Sequence, residues 1–144
     1  MAGMTIIVRT IARLLFPFMF LFGAYVVAHG HLTPGGGFPG GVIIAASVVM
    51  LILAYGTDWI QGRVGFTHAE ALESVGLVTI FVIGLLGFLL GSYFLQNVFP
   101  MGEPGQLFSG GELPLLYLAV GIEVAAGIFL IFYAMLFKSR GEEE

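Results

Sequence analysis

His29-Gly-His-Leu-Thr-Pro-Gly-Gly-Gly-Phe-Pro-Gly-Gly41 lies between two long apolar runs. Glycine marks backbone that needs a positive φ or the close approach of another segment. Proline fixes φ and removes a donor. A short stretch built from glycines, two prolines and two histidines is therefore a defined turn rather than a tether. It pins the segments on either side of it.

Those segments cross a membrane. The chain is 58% hydrophobic and 10% charged, with a mean hydropathy of +1.02, whereas soluble domains carry about 25% charged residues. Four apolar stretches approach or exceed the roughly 20 residues that span a bilayer as helix. They fall near Arg13–Ala28, Gly41–Thr57, Ser74–Asn97 and Pro114–Phe137. No period-2 alternation runs through them, which argues against a β-barrel. The expected fold is all-α: an integral membrane protein of four transmembrane helices, one domain over residues 1–144.

The basic residues set the orientation. Arg9 and Arg13 precede the first span, Arg63 lies between the second and third, and Lys138 and Arg140 follow the fourth. All five fall on one side, which places that side and both termini in the cytoplasm of a multi-pass cell-membrane protein. No small-x-small cleavage site follows the first span, so it reads as a retained helix rather than a signal peptide. The chain has no cysteine, which removes disulfides, iron–sulfur ligation and thiol chemistry. The net charge of −4 comes largely from Glu142, Glu143 and Glu144.

Few residues carry chemistry. Glu123 stands near the middle of the fourth span. An acid at that depth costs about 2.5–3.5 kcal/mol on insertion scales and is a functional candidate by default. Its partners within the chain would be Tyr25, Ser47 or Thr79. The competing reading is a protonated packing residue. Thr67-His-Ala-Glu70 fits a capping box for the third helix. That gives Glu70 and Glu73 a bland role as acids of a first helical turn, against a functional role at an acidic entrance to an ion path. Asp58 closes the second span beside Trp59, an interface anchor, and joins the ion-path candidates. His29 and His31, two apart, share no helical face. Without an acid or thiol cluster they suggest loop-stabilising hydrogen bonds rather than a metal site. Phe38 is a displayed aromatic wedge. The pairs Ala24/Ala28, Gly41/Ala45, Gly87/Gly91 and Gly121/Ala125 have the spacing that lets helix backbones approach.

The loop His31-Leu-Thr-Pro-Gly-Gly-Gly-Phe-Pro-Gly-Gly41 resembles the signature of the MnhB/MrpB-type subunits of multisubunit sodium/proton antiporters, close to GH-x-x-PGGGF-x-GG. The matching loop residues are Pro34, Gly35, Gly36, Gly37, Phe38, Gly40 and Gly41. Pro39 is a departure, as that position is often Gln. Leu72-Glu73-Ser74, Ser109-Gly-Gly-Glu-Leu-Pro114 and Gly121-Ile-Glu-Val124 look more like the branch found in archaeal membrane-bound hydrogenases and sulfur-reducing complexes. The resemblance implies a membrane subunit of an antiporter module inside a larger respiratory complex, scaffold and part of an ion path for sodium ions and protons. It implies other membrane subunits and the lipid bilayer as partners, no nucleic acid, no cofactor and no catalysis by this chain itself. The alternatives are a purely structural assembly subunit and a small oligomeric transporter.

Overall fold

The computed structural model describes residues 4–56, 65–91, 93–107 and 109–141. Four helices run through them: α1 (Ile6–Ala28), α2 (Gly37–Tyr55), α3 (Phe66–Leu90) and α4 (Leu113–Gly141). Each is long and apolar enough to cross a membrane, and no strand occurs among the described residues. The expected all-α membrane architecture is present.

The helices alternate in direction. The Met4 N–H donates to the Ala54 carbonyl at 2.9 Å, which sets the start of α1 beside the end of α2. The Phe66 ring packs tilted against Tyr133 with ring centroids 5.5 Å apart, which sets the start of α3 beside the late turns of α4. These four chain ends form the termini end of the bundle. The opposite end, the loop end, carries the His29–Gly36 turn and the 91–112 connection. Packing runs in the order α1, α2, α4, α3, with a smaller contact between α1 and α4. The outer helices α1 and α3 leave between them an apolar groove of about 560 Å³, walled by Phe20 and Ala24 on one side and Leu72 on the other, over Ala125 and Phe129 of α4.

The termini end holds two small cores. Ile52, Ala69 and Phe129 pack with Val48 and Tyr133; Ala12, Leu51 and Ala54 pack with Phe16 and Tyr55. Most other large apolar side chains point outward, among them Ile6 at 80% and Leu89 at 72% exposure. In a bilayer such faces meet lipid or neighbouring helices, so outward apolarity is the expected pattern rather than a defect.

Several helix boundaries differ from the sequence reading. α1 starts before Arg9 and Arg13 instead of after them. Long basic side chains near a helix end can reach the interface, and the Arg9 guanidinium lies 5.8 Å from the Tyr55 ring centroid. α2 starts at Gly37 rather than Gly41, so half of the glycine motif is helical. α3 starts at Phe66, with Gly65 as N-cap, no side-chain cap and no acid in the first turn. Thr67 and Glu70 therefore form no capping box, and neither Glu70 nor Glu73 is a first-turn acid. A cap contributes about 1 kcal/mol. Burial of Ala69 and the Phe66–Tyr133 contact extend the helix past it.

α3 also ends at Leu90 rather than Asn97. Beyond Gly91 the chain turns back along its own helix. The Leu95 N–H donates to the Gly84 carbonyl at 3.3 Å, with Leu95 itself at φ 59. The Phe94 ring lies on Gly84 and the Gln96 backbone on Gly87. Gly87 thus serves this fold-back rather than a helix–helix seam. Apolar residues at 93–95 made the segment read as a continued span.

Candidate functional site

The loop end is organised by glycines that face different neighbours. Gly36 is the N-cap of α2 at φ 132, ψ −171, a region essentially restricted to glycine. Gly37 and Gly41, one turn apart, both face α4. A Cβ on Gly37 would stand 2.5 Å from the Tyr117 carbonyl oxygen and 2.8 Å from Val120 Cβ; one on Gly41 would stand 2.8 Å from the Gly121 carbonyl oxygen. Gly40 faces α1, where its Cβ would lie 2.8 Å from the Gly23 carbonyl oxygen, and Gly23 meets the Gly40 carbonyl in return at 3.0 Å. Adjacent glycines thus bring two different backbones against α2. Pro39 is tolerated because the first helical turn has no intrahelical use for its N–H. Phe38 is 63% exposed, as expected of a displayed aromatic. Pro34 and Gly35 are exposed in the turn.

The histidines divide their work. His29 stacks on Tyr25 with ring centroids 4.1 Å apart, and its Nδ1 is 3.3 Å from the Tyr25 carbonyl oxygen. His31 Nε2 lies 3.4 Å from the Gln106 carbonyl oxygen, tying the 29–36 turn to the 91–112 connection. The Thr33 hydroxyl donates to the His29 carbonyl at 3.1 Å.

A second feature runs along the α3–α4 seam. Glu123 is half-buried and faces Gly76, where a Cβ would stand 2.6 Å from the Glu123 Cβ. Glu73 faces back: its Oε1 lies 3.4 Å from the position of a Cβ on Gly127. Each acid thus sits against a glycine of the other helix, about one turn (~5 Å) apart along the seam. Glu70, three residues before Glu73 on α3, is exposed. Asp58 lies outside the described residues. Two of the three hydroxyls proposed as partners of Glu123 are committed to their own helices. Ser47 donates to the Ile44 carbonyl at 2.6 Å and Thr79 to the Val75 carbonyl at 2.7 Å, while Tyr25 stacks on His29 at the loop end. Short hydroxyl side chains within helices commonly bond back to their own backbone in this way.

One residue escaped the sequence reading. Glu112, immediately before α4, is only 4% exposed, and its Oε2 has no hydrogen-bond partner. Its backbone N–H donates to Asn97 Oδ1 at 3.2 Å, an oxygen that also takes the Phe99 N–H at 3.2 Å. The available signal was an acid, one of two with Glu103, in a connection without Lys or Arg, just ahead of Pro114 at a helix start. No group of three metal-ligating side chains occurs among the described residues.

Residues 7–130 match the family described as a domain related to the MnhB subunit of Na+/H+ antiporters. The chain belongs to the MnhB family. Among its relatives, the B-type component of the Na(+)/H(+) antiporter of Bacillus subtilis is 30% identical over 147 residues, covering 96% of this chain and 94% of that protein. An uncharacterized protein of Methanocaldococcus jannaschii is 34% identical over 134 residues; 86% of this chain is covered, but it spans only 49% of that relative. Among solved structures, a chain of the membrane-bound sulfane sulfur reductase, an archaeal respiratory membrane complex, superposes with a TM-score of 0.73 at 42% identity. The match covers 92% of this chain and 58% of that one. A chain of the Mrp complex from a Dietzia species gives 0.70 at 28% identity, with 87% of this chain and 13% of that chain covered. The MnhB-family unit therefore occurs both as a chain of this length and as part of longer ones. In this MnhB-family chain the signature glycines are the α1–α2–α4 contact points.

Proposed function

We propose that this chain is a membrane subunit of an Mrp-type sodium/proton antiporter module within a larger redox-driven respiratory complex. The family match over residues 7–130 carries the reading. The similarity to a chain of an archaeal respiratory complex supports the redox-driven setting. The chain itself is a scaffold, not a catalyst, and electron transfer belongs to other subunits. Its glycine-built loop end locks α2 against α1 and α4, and the Glu73–Glu123 seam contributes to a cation path. The apolar outer faces of α1 and α3 suit lipid and neighbouring subunits.

Purification from native membranes through a tag on this chain tests the reading. The expected result is a stoichiometric assembly with several other membrane subunits, including ones with iron–sulfur cysteine motifs. Recovery of this chain alone as a homo-oligomer would favour the small-transporter alternative.

Orientation is a separate prediction. The one-sided basic residues place the termini end in the cytoplasm. The chain lacks cysteine, so single-site labelling has no background. An impermeant thiol reagent applied from outside should reach Met101→Cys, whose parent residue is 68% exposed, and should not reach Arg63→Cys. The reverse pattern would invert the topology.

A further inference from the structure

The groove between α1 and α3 is open on its outer side and holds about 560 Å³. From Pro114 to Phe129 it follows α4 for about 22 Å. Spread over that length, the volume corresponds to a section of about 25 Å², roughly a third of what a helix about 10 Å across fills. The space fits one slender extended chain rather than a fifth helix.

The foot of the groove, at the termini end, is basic. His68 lines it at the start of α3. Tyr55 lies seven residues beyond Val48 and so continues the face of α2 that lines the groove. The Tyr55 hydroxyl donates to the Arg9 carbonyl at 3.4 Å, and the Arg9 guanidinium stands 5.8 Å from the Tyr55 ring centroid. Arg13, one turn further along α1, is exposed. It lies seven residues before Phe20 of the groove wall, on the same helical face. Helices α1 and α2 contain neither Asp nor Glu. On α3, Glu73 is turned to Gly127, and Glu70, two residues from His68, does not share its face. Arg9 Nε is buried without a hydrogen-bond partner. A buried donor calls for an acceptor, and phosphate is one that the guanidinium fork matches. An apolar slot with an arginine foot has the polarity of a phospholipid, chain inward and phosphate at the interface. We propose that the groove binds one anionic phospholipid from the leaflet at the termini end. Its phosphate sits on Arg9 and Arg13 beside His68, and an acyl chain runs between Phe20 and Leu72. The lipid braces α1 against α3, the two outer helices of the packing order. The site does not depend on the antiporter reading.

The test uses the assembled complex exchanged into phosphatidylcholine nanodiscs, with a trace of phosphatidylglycerol that carries a diazirine on one acyl chain. After illumination, mass spectrometry maps the adducts. They are expected on the α3 and α4 peptides that wall the groove. Unlabelled phosphatidylglycerol displaces the probe, and excess inorganic phosphate does not. Arg9→Gln and Arg13→Gln each reduce these adducts about fivefold. Ala125→Phe fills the groove, leaves both arginines in place and abolishes the adducts. The competition arm needs only the wild-type complex. If added phosphatidylcholine displaces the probe as well as phosphatidylglycerol does, or if both arginine variants label like wild type, the groove is ordinary hydrocarbon contact and the site is overturned. Absence of adducts from the groove also overturns it. In that event benzoylphenylalanine at Leu72 that joins this chain to a neighbouring subunit identifies a partner helix as the occupant instead.

Discussion

Gly37→Ala is expected to abolish assembly of this subunit with its partners, while Gly36→Ala leaves assembly reduced but measurable. The two adjacent glycines fail for different reasons. Gly36 has room: the nearest atom to an added Cβ is Tyr117 Cε1 at 3.6 Å. Its φ of 132 is what a side chain resists, at about 1–3 kcal/mol. Gly37 is helical and unstrained, but its Cβ would lie 2.5 Å from the Tyr117 carbonyl oxygen. That atom is backbone, so relief requires α2 and α4 to separate. The expected effect is about 3 kcal/mol, the upper end of overpacking, or roughly a hundredfold in an assembly equilibrium. Tyr117→Ala should not rescue Gly37→Ala, because the obstructing oxygen remains. Native-gel yield of the complex from membranes, with chain insertion measured in parallel, reads both variants. Equal yields for Gly37→Ala and wild type would mean that the α2–α4 contact plays no part in holding the complex.

Glu123→Gln is expected to lower sodium-coupled proton exchange at least tenfold in a complex that still assembles. The motive is energetic. An ionisable side chain within the membrane carries a penalty of about 2.5–3.5 kcal/mol on insertion scales, and Gln would fill the same volume against Gly76 without a titrating proton. Glu73, set against Gly127 one turn along the seam, should behave in the same direction. Glu123→Ala removes both the proton and the contacts and should also destabilise the seam, by about 1–3 kcal/mol for the lost packing and any stranded partner. Exchange measured in vesicles with matched amounts of complex separates the two roles. Undiminished exchange in Glu123→Gln would make Glu123 a packing residue and this chain a pure scaffold.

Much of this is legible in the sequence. Four apolar stretches and a glycine-proline turn dictate four spans and a pinned connection, because bilayer thickness leaves few other solutions. The motif glycines declare close approach, though not which of them meets α1 and which α4. That assignment depends on residues such as Gly23 and Tyr117, far along the chain. Helix ends are less legible. Hydropathy marks the part of a helix inside lipid and is blind to its polar extensions at Arg9 or Phe66. It also credits Tyr93–Leu95 to a span when they fold back on Gly84. The facing of Glu73 and Glu123 across the α3–α4 seam has no local signal, since it arises from segments tens of residues apart, and the burial of Glu112 has only the faint one of an acid just ahead of Pro114. The capping-box pattern at Thr67 is real as a pattern and is overruled by burial of Ala69.

The split facing of Gly40 and Gly41 has a consequence for insertions and deletions. Around Gly105, where an added Cβ meets nothing within 4 Å, an extra residue would only lengthen a surface connection. Between Gly37 and Gly41 an extra residue would turn everything upstream by about 100° relative to the rest of α2. The two neighbouring helices would then meet side chains where they now meet bare backbone. This segment can vary in sequence at Phe38 or Pro39, yet its length is frozen, and natural length variation among chains of this kind should pile up in the 91–112 connection and stop short of the 29–41 segment.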